Sequence, residues 1–201
     1  MTEQPHCHIH PPRVYSLGEH VRCLVRPEIL VLIPIYCLGL IPATATAAWF
    51  IASLERDVGL PSLADWLPHE TRLALFAAAL LMGAVIVSWS YTYLVLEGGG
   101  GPVPPFSART RYLVTNGPYR YMRHPSIWGK LVGVIGLGIY VGSITFLTVI
   151  IPLLLYWSLS ANMRGQDAAM ERVFGDAYRA YRAVTPRMVP RVVSVLLRRL
   201  S

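Results

Sequence analysis

The sequence predicts an all-α integral membrane protein of about four transmembrane helices, the last two a hairpin, followed by a cytoplasmic C-terminal helical segment. Three observations lead there. The chain is 54% apolar and only 14% charged, where a soluble domain carries about 25% charged residues. Its apolar residues fall into blocks without a formal charge: 26 residues over 29–54, 24 over 73–96 and 33 over 131–163. Its basic residues are nearly all arginine, and their placement alternates with those blocks. A helix crosses the hydrocarbon core with roughly 20 apolar residues, at about 1.5 Å of rise each. Backbone inside lipid must satisfy its own hydrogen bonds, which makes the blocks helices.

Taken in order, residues 1–28 read as a cytoplasmic tail that holds Pro5, Pro11, Pro12 and Pro27. They lack the apolar stretch of a signal peptide, so the first apolar block is expected to act as the insertion signal. His6-Cys7-His8-Ile9-His10 has the ligand types of a zinc or copper site. A frayed polar terminus accounts for it better, and no metal is assigned. Cys7, Cys23 and Cys37 are odd in number and scattered, so no disulfide framework follows.

Residues 29–96 are expected to hold two transmembrane helices, the first kinked by Pro34 and Pro42. The second ends in Ser88-Trp89-Ser90-Tyr91-Thr92-Tyr93. That run reads as an interfacial aromatic belt, with a pocket lining at Tyr91 or Tyr93 as the alternative. Arginines gather at 13, 22 and 26, at 109, 111, 120 and 123, and eight times after Met163, while 55–72 is acidic on balance. The positive-inside rule puts both termini and 97–125 in the cytoplasm. An even number of crossings follows, and the third block divides at Gly142-Ser143. The net charge of +7 therefore points to membrane topology and not to nucleic acid.

Residues 97–201 open on Glu97 and four glycines, then Pro102, Pro104 and Pro105. This is a flexible turn without the strand context of a phosphate-binding loop. Asn116-Gly117-Pro118 signals a turn, and Pro125-Ser126 opens the third span. Gly129, Gly133 and Gly136 share one face of that span, and Gly138 and Gly142 repeat the small-residue spacing. Close helix packing is the first reading of these glycines and close approach of a cofactor the second. Residues 164–183 form a polar helix with an apolar stripe of Val173, Phe174, Ala177, Tyr178 and Tyr181. Residues 188–200 read as a short helix lying on an anionic leaflet.

Chemistry in such a chain belongs at the membrane boundary, because charge within lipid is costly. A hairpin brings its two ends together. Arg120, Arg123 and His124 should therefore face Arg164, Gln166 and Asp167 at the cytoplasmic edge. Arginine forks bind carboxylates and phosphates, and a carboxylate receives an ammonium, so a zwitterion fits such a pocket. Salt bridges and lipid phosphates are the structural alternative.

Gly117-Pro-Tyr-Arg-Tyr-Met-Arg-His-Pro125, then Gly129, then Arg164 with Phe174-Gly175-x-x-Tyr178-x-x-Tyr181 and Val184-x-x-x-x-x-Pro190, resembles the isoprenylcysteine carboxyl methyltransferase and phospholipid methyltransferase group, in its bacterial type. The resemblance covers about half the chain, over roughly 95–190, and marks 97–201 as the catalytic region. It implies S-adenosylmethionine as cofactor, bound by Tyr119, His124, Pro125, Gly129, Gly136, Gly138, Gln166 and Asp167. It implies Arg123 and Arg164 as catalytic residues beside the substrate. Ile127 stands where the group often has tyrosine, and Gln166-Asp167 where it has paired glutamates.

The implied activity is methyl transfer to a membrane-embedded lipophilic substrate. A carboxylate is preferred because it is already charged and needs no base, whereas an amine must first lose a proton. A phospholipid amine is the second substrate class. An NADPH-dependent membrane reductase with a similar C-terminal pattern and an inactive relative are the other readings. The expected partners are the lipid bilayer and the lipophilic substrate, without nucleic acid; oligomeric state stays open. Seventeen arginines beside one lysine point to a bacterial genome and an inner-membrane location.

Overall fold

The structure is a computed structural model that describes residues 14–26, 41–100, 102–103, 107–108, 110–158, 160 and 163–188. The His/Cys-rich terminus, the Pro34 kink and the expected leaflet helix after Met188 lie outside these residues. The described chain is helical: α1 (Leu17–Leu24), α2 (Ile41–Val58), α3 (His69–Leu96), α4 (Pro125–Val141), α5 (Ile151–Trp157) and α6 (Met163–Val184). The exception is an antiparallel ladder of two residues a side, β1 (Pro102–Val103) with β2 (Ser107–Ala108). The all-helical expectation therefore holds apart from that ladder.

Two elements differ from the sequence reading. The tail contains α1, whose start is fixed by a capping box. Ser16 Oγ accepts from the Glu19 amide at 3.3 Å, and the Glu19 carboxylate accepts from the Ser16 amide at 2.7 Å. The C-terminal helix is not continuous, because Gly175 sits at φ 53°, ψ −126° inside it.

The chain divides into two compact units. One comprises 31–85 and 129–162 and contains α2, the first part of α3, most of α4 and the hairpin. Its core is Ala48, Phe146 and Ile151, ringed by Leu131, Val134, Ile135, Leu137 and Leu147. The expected division at Gly142-Ser143 is present. Gly142 takes φ 84°, and both its amide and that of Ser143 bond back to the Gly138 carbonyl, at 3.0 and 3.2 Å. A helix end leaves its last carbonyls without intrahelical partners. Here the loop after α2 and the first turn of α3 supply partners. Ser62 Oγ and the Leu63 amide both donate to Gly142 O at 2.9 Å, and Arg72 Nη1 donates to Tyr140 O at 2.6 Å. The returning helix is capped in turn. Ser143 Oγ accepts from the Phe146 amide at 3.0 Å, and the buried Glu55 accepts from the Thr145 amide at 2.5 Å. Phe146–Ile150 then winds as a π-turn just before Pro152, the residue that removes one amide from the ladder.

Among the described helices, α3 is long and apolar enough to cross a membrane, while Pro125–Val141 and Phe146–Trp157 are shorter apolar helices. Leu73, Leu80, Leu81, Met82 and Val85 of α3 are exposed. From Ser90 to Val95 the same helix is buried, in the second unit.

Candidate active site

The second unit comprises Met1–Leu30, Ile86–Trp128 and Met163–Ser201. Within it the 3-10 turn Gly117–Arg120 follows Asn116, and Pro125 opens α4. Proline suits the first helical position, where its missing N–H would have no helical partner. Between turn and helix lie Arg123 and His124. They are fixed from behind by α6 and the residues after it. Tyr181 donates to the Tyr119 carbonyl at 2.7 Å, the Arg123 amide to Pro186 O at 3.0 Å, and Trp128 Nε1 to the Met188 carbonyl. Tyr119 donates its own hydroxyl to Ser90 O at 3.4 Å. Leu113, Phe174, Tyr178 and Tyr181 form the apolar floor.

Asp167 is the centre of this unit. Its Oδ2 accepts from Arg123 Nη1 at 2.8 Å and from Arg187 Nη2 and Nε at 3.0 and 3.1 Å. Its Oδ1 lies 3.3 Å from His124 Nε2 and accepts from the Tyr178 hydroxyl. The side chains of Asp167, Arg123 and His124 are 4%, 9% and 9% exposed, against 30% for Arg187. Burial raises the Asp167 pKa, but bonds from His124 and Tyr178 and the charge of Arg123 outweigh it, holding the carboxyl well below the usual range. Burial first, and the bond to Asp167 second, push the Tyr178 phenol up to about 12. Burial likewise lifts Tyr181 and Tyr119 well above an ordinary phenol. The three tyrosines are thus neutral donors at neutral pH.

The break at Gly175 makes the cluster possible. Eleven residues of straight α-helix would separate Asp167 from Tyr178 by about 16 Å along the axis, beyond the reach of the two side chains. The chain turns back at Gly175 instead. Arg179 and Arg182 then also reach Glu171, at 3.4 and 3.0 Å. The mirror-image backbone at Gly175 suits only glycine. A Cβ there meets nothing within 4 Å, so Gly175→Ala adds backbone strain alone, about 1–3 kcal/mol. The expected result is a lowered thermal midpoint and loss of the Asp167 cluster, read as faster amide hydrogen exchange over 176–188; unchanged exchange there would refute it.

The structure joins Arg123, His124 and Asp167 from the sequence-derived set. Tyr119 and Pro125 are buried beside them. Gln166 is half-buried and Arg164 and Arg120 are exposed. The glycine positions lie in the other unit, against the chain's own atoms. A Cβ at Gly136 would meet Ala79 and Phe76, and one at Gly138 would meet Leu147 and Phe146. The Gly129 carbonyl lies where a Cβ at Gly83 would meet it. In the expected aromatic belt Tyr91 and Tyr93 are buried, while Trp89 is exposed. In the expected apolar stripe Phe174, Tyr178 and Tyr181 are buried, while Val173 is exposed, since the break at Gly175 interrupts the helical period. Arg187 was not foreseen. It follows Pro186, beyond the helix end, where no periodicity ties a residue to a face.

A family model of phospholipid methyltransferases matches residues 71–177, more than half of the 201. The chain belongs to the phospholipid methyltransferase family. It is 33% identical over 78 residues to the protein-S-isoprenylcysteine O-methyltransferase of Schizosaccharomyces pombe, a stretch covering 39% of this chain. That stretch is about a third of the relative's length, 33%. No solved structure matches. The resemblance read from the arginine-histidine-proline turn and α6 is thereby established, and with it membership of a methyltransferase family.

Proposed function

We propose that the protein transfers a methyl group from S-adenosylmethionine to a lipophilic, membrane-embedded carboxylate. The observation that carries this reading is the saturation of Asp167. The buried site offers arginine donors, its tyrosine hydroxyls already donate within the unit, and the Asp167 carboxylate already takes two partners on each oxygen. A site with donors in excess and its carboxylate engaged favours a nucleophile that is charged before it arrives. An amine would need a base to take its proton.

Methyltransferases of this family generally use S-adenosylmethionine. The donor excess here, with Arg123 Nε buried and lacking an acceptor among the described residues, suits a cofactor that brings a carboxylate. Tyr119, His124, Pro125 and Gln166 are the side chains that would hold it. When bound, it supplies an electrophilic methyl group on a sulfonium leaving group. The chain's part is to align and to keep water out. Arg123, and Arg164 at the start of α6, would steady the substrate anion. The exposed apolar face of α3 supports a membrane setting. We read four crossings there, with both termini cytoplasmic, in a bacterial inner membrane.

The family description favours one other reading, methylation of a phospholipid amine, in which the arginines would hold the phosphate. Incubating membranes that carry the protein with S-adenosylmethionine labelled in the methyl group separates the two. The expected product is a lipid-soluble label released as volatile methanol by mild alkali, the mark of a methyl ester. Alkali-stable label in a phospholipid headgroup would favour the amine reading and overturn ours.

A further inference from the structure

The charges around Asp167 do not balance. Two guanidiniums, Arg123 and Arg187, meet one carboxylate, and the remainder is one positive charge even with His124 neutral. No other described carboxylate pairs with either arginine. Arg123 is nine-tenths buried, and its Nε finds no acceptor among the described residues. Both arginines share one carboxylate, so the excess charge sits beside a buried N–H without an acceptor, which is itself costly. Arg187 is different, since 30% of its side chain is open to solvent. Asp167 holds both forks on a single oxygen, so the two guanidiniums lie side by side, one deep and one at the surface.

We propose that Arg123 and Arg187 together form a binding site for one oxyanion, a carboxylate or a phosphate monoanion, with Asp167 as the residue that positions them. The inference builds on the methyltransferase reading and adds Arg187 to that site. It also gives Asp167 a role other than receiving the cofactor's ammonium. Paired guanidiniums present parallel N–H donors that match the two oxygens of such a group. The oxyanion can come from the carboxylate end of the cofactor or from the substrate.

The test uses full-length protein in lipid nanodiscs and two matched probe pairs. S-Adenosylhomocysteine carries a carboxylate that 5′-methylthioadenosine lacks. Oleate carries one that oleyl alcohol lacks. Binding is read by calorimetry for the nucleosides and by tryptophan fluorescence for the lipids, since Trp128 is tied to Met188 next to Arg187. Loss of a charge-assisted contact in Arg187→Ala should weaken one charged probe about tenfold or more. Its uncharged partner should bind as before, and Arg187→Lys should recover part of the loss. Loss confined to S-adenosylhomocysteine places the cofactor's carboxylate in the site, and loss confined to oleate places the substrate's there. Equal affinities in wild type and Arg187→Ala for both charged probes would overturn the proposal, as would a wild type that prefers neither charged probe to its partner. Wild type that ignores both nucleosides yet discriminates oleate from oleyl alcohol through Arg187 would refute the cofactor and leave the oxyanion site standing. Arg187→Lys guards against misfolding, because it keeps the charge facing Asp167.

Discussion

Replacing Asp167 with alanine should strongly destabilise the unit that carries the site. Removing one partner from a buried ion pair costs about 3–5 kcal/mol, because the charge left behind has no solvent. Here the loss leaves two guanidiniums facing each other, one of them nine-tenths buried. It also strips the acceptor from Tyr178 and from His124. Against a total stability of about 5–15 kcal/mol, that is a large share. Asp167→Asn keeps the shape and one acceptor and should fall between wild type and alanine. The same carboxyl gives an acid dependence with a definite sign. Its folded pKa is depressed, so its contribution is fully present above the unfolded value of about 3.9. The contribution is then lost as pH falls below that value toward the folded one. Thermal midpoints of purified protein should therefore hold from neutrality to about pH 5 and drop steeply below about pH 4. Asp167→Ala, in whatever fraction remains folded, should show a shallower drop. A variant as stable as wild type at neutral pH would remove Asp167 from the centre of the unit.

Much of this arrangement was legible in the sequence, and the parts that were not have physical reasons. The uncharged block over 131–163 was too long for one crossing, and Gly142-Ser143 was the residue pair able to turn it, so the hairpin was readable. Hairpin logic also placed Arg123 and His124 near Asp167. What it could not give was the geometry behind Gly175. A helical wheel assumes an unbroken axis, so Val173 joined a buried stripe on paper and is exposed in the fold. Tyr178 was found as an apolar position, but its hydroxyl bond to Asp167 depends on the chain folding back. Arg187 was hidden for a related reason: it lies past Pro186, in a stretch with no period to read. The helix α1 had its signal, Ser16 with Glu19 three residues on, within a segment whose prolines argued for disorder.

The glycines of α4 separate packing from cofactor binding, and Gly83→Ala should be the most damaging of the small-residue changes. Its new Cβ would press on the Gly129 carbonyl oxygen, with the Gly129 carbon and the Gly133 nitrogen both at 3.4 Å. All three are backbone atoms in a helix and cannot rotate away, so α3 and α4 must separate. Overpacking of this kind costs about 1–3 kcal/mol. Gly136→Ala meets the Cβ of Ala79 at 2.6 Å, also rigidly attached, and should rank beside it. At Gly138 the obstacles are Leu147 Cδ2 at 2.7 Å and Phe146 Cδ1 at 2.9 Å, the ends of side chains that can shift, so the loss should be smaller. Gly133 has nothing within 4 Å. There alanine only raises helix propensity, by up to about 1 kcal/mol, and should leave the protein as stable or more so. Thermal unfolding without any ligand gives the order. If Gly136 and Gly138 served the cofactor and not the packing, their alanine variants would unfold like wild type and lose only S-adenosylhomocysteine binding. Destabilisation in ligand-free protein at 83, 136 and 138, with 133 spared, assigns that face to the contact with α3 and the returning arm of the hairpin, and confines the chemistry to the arginine-histidine-proline turn and α6.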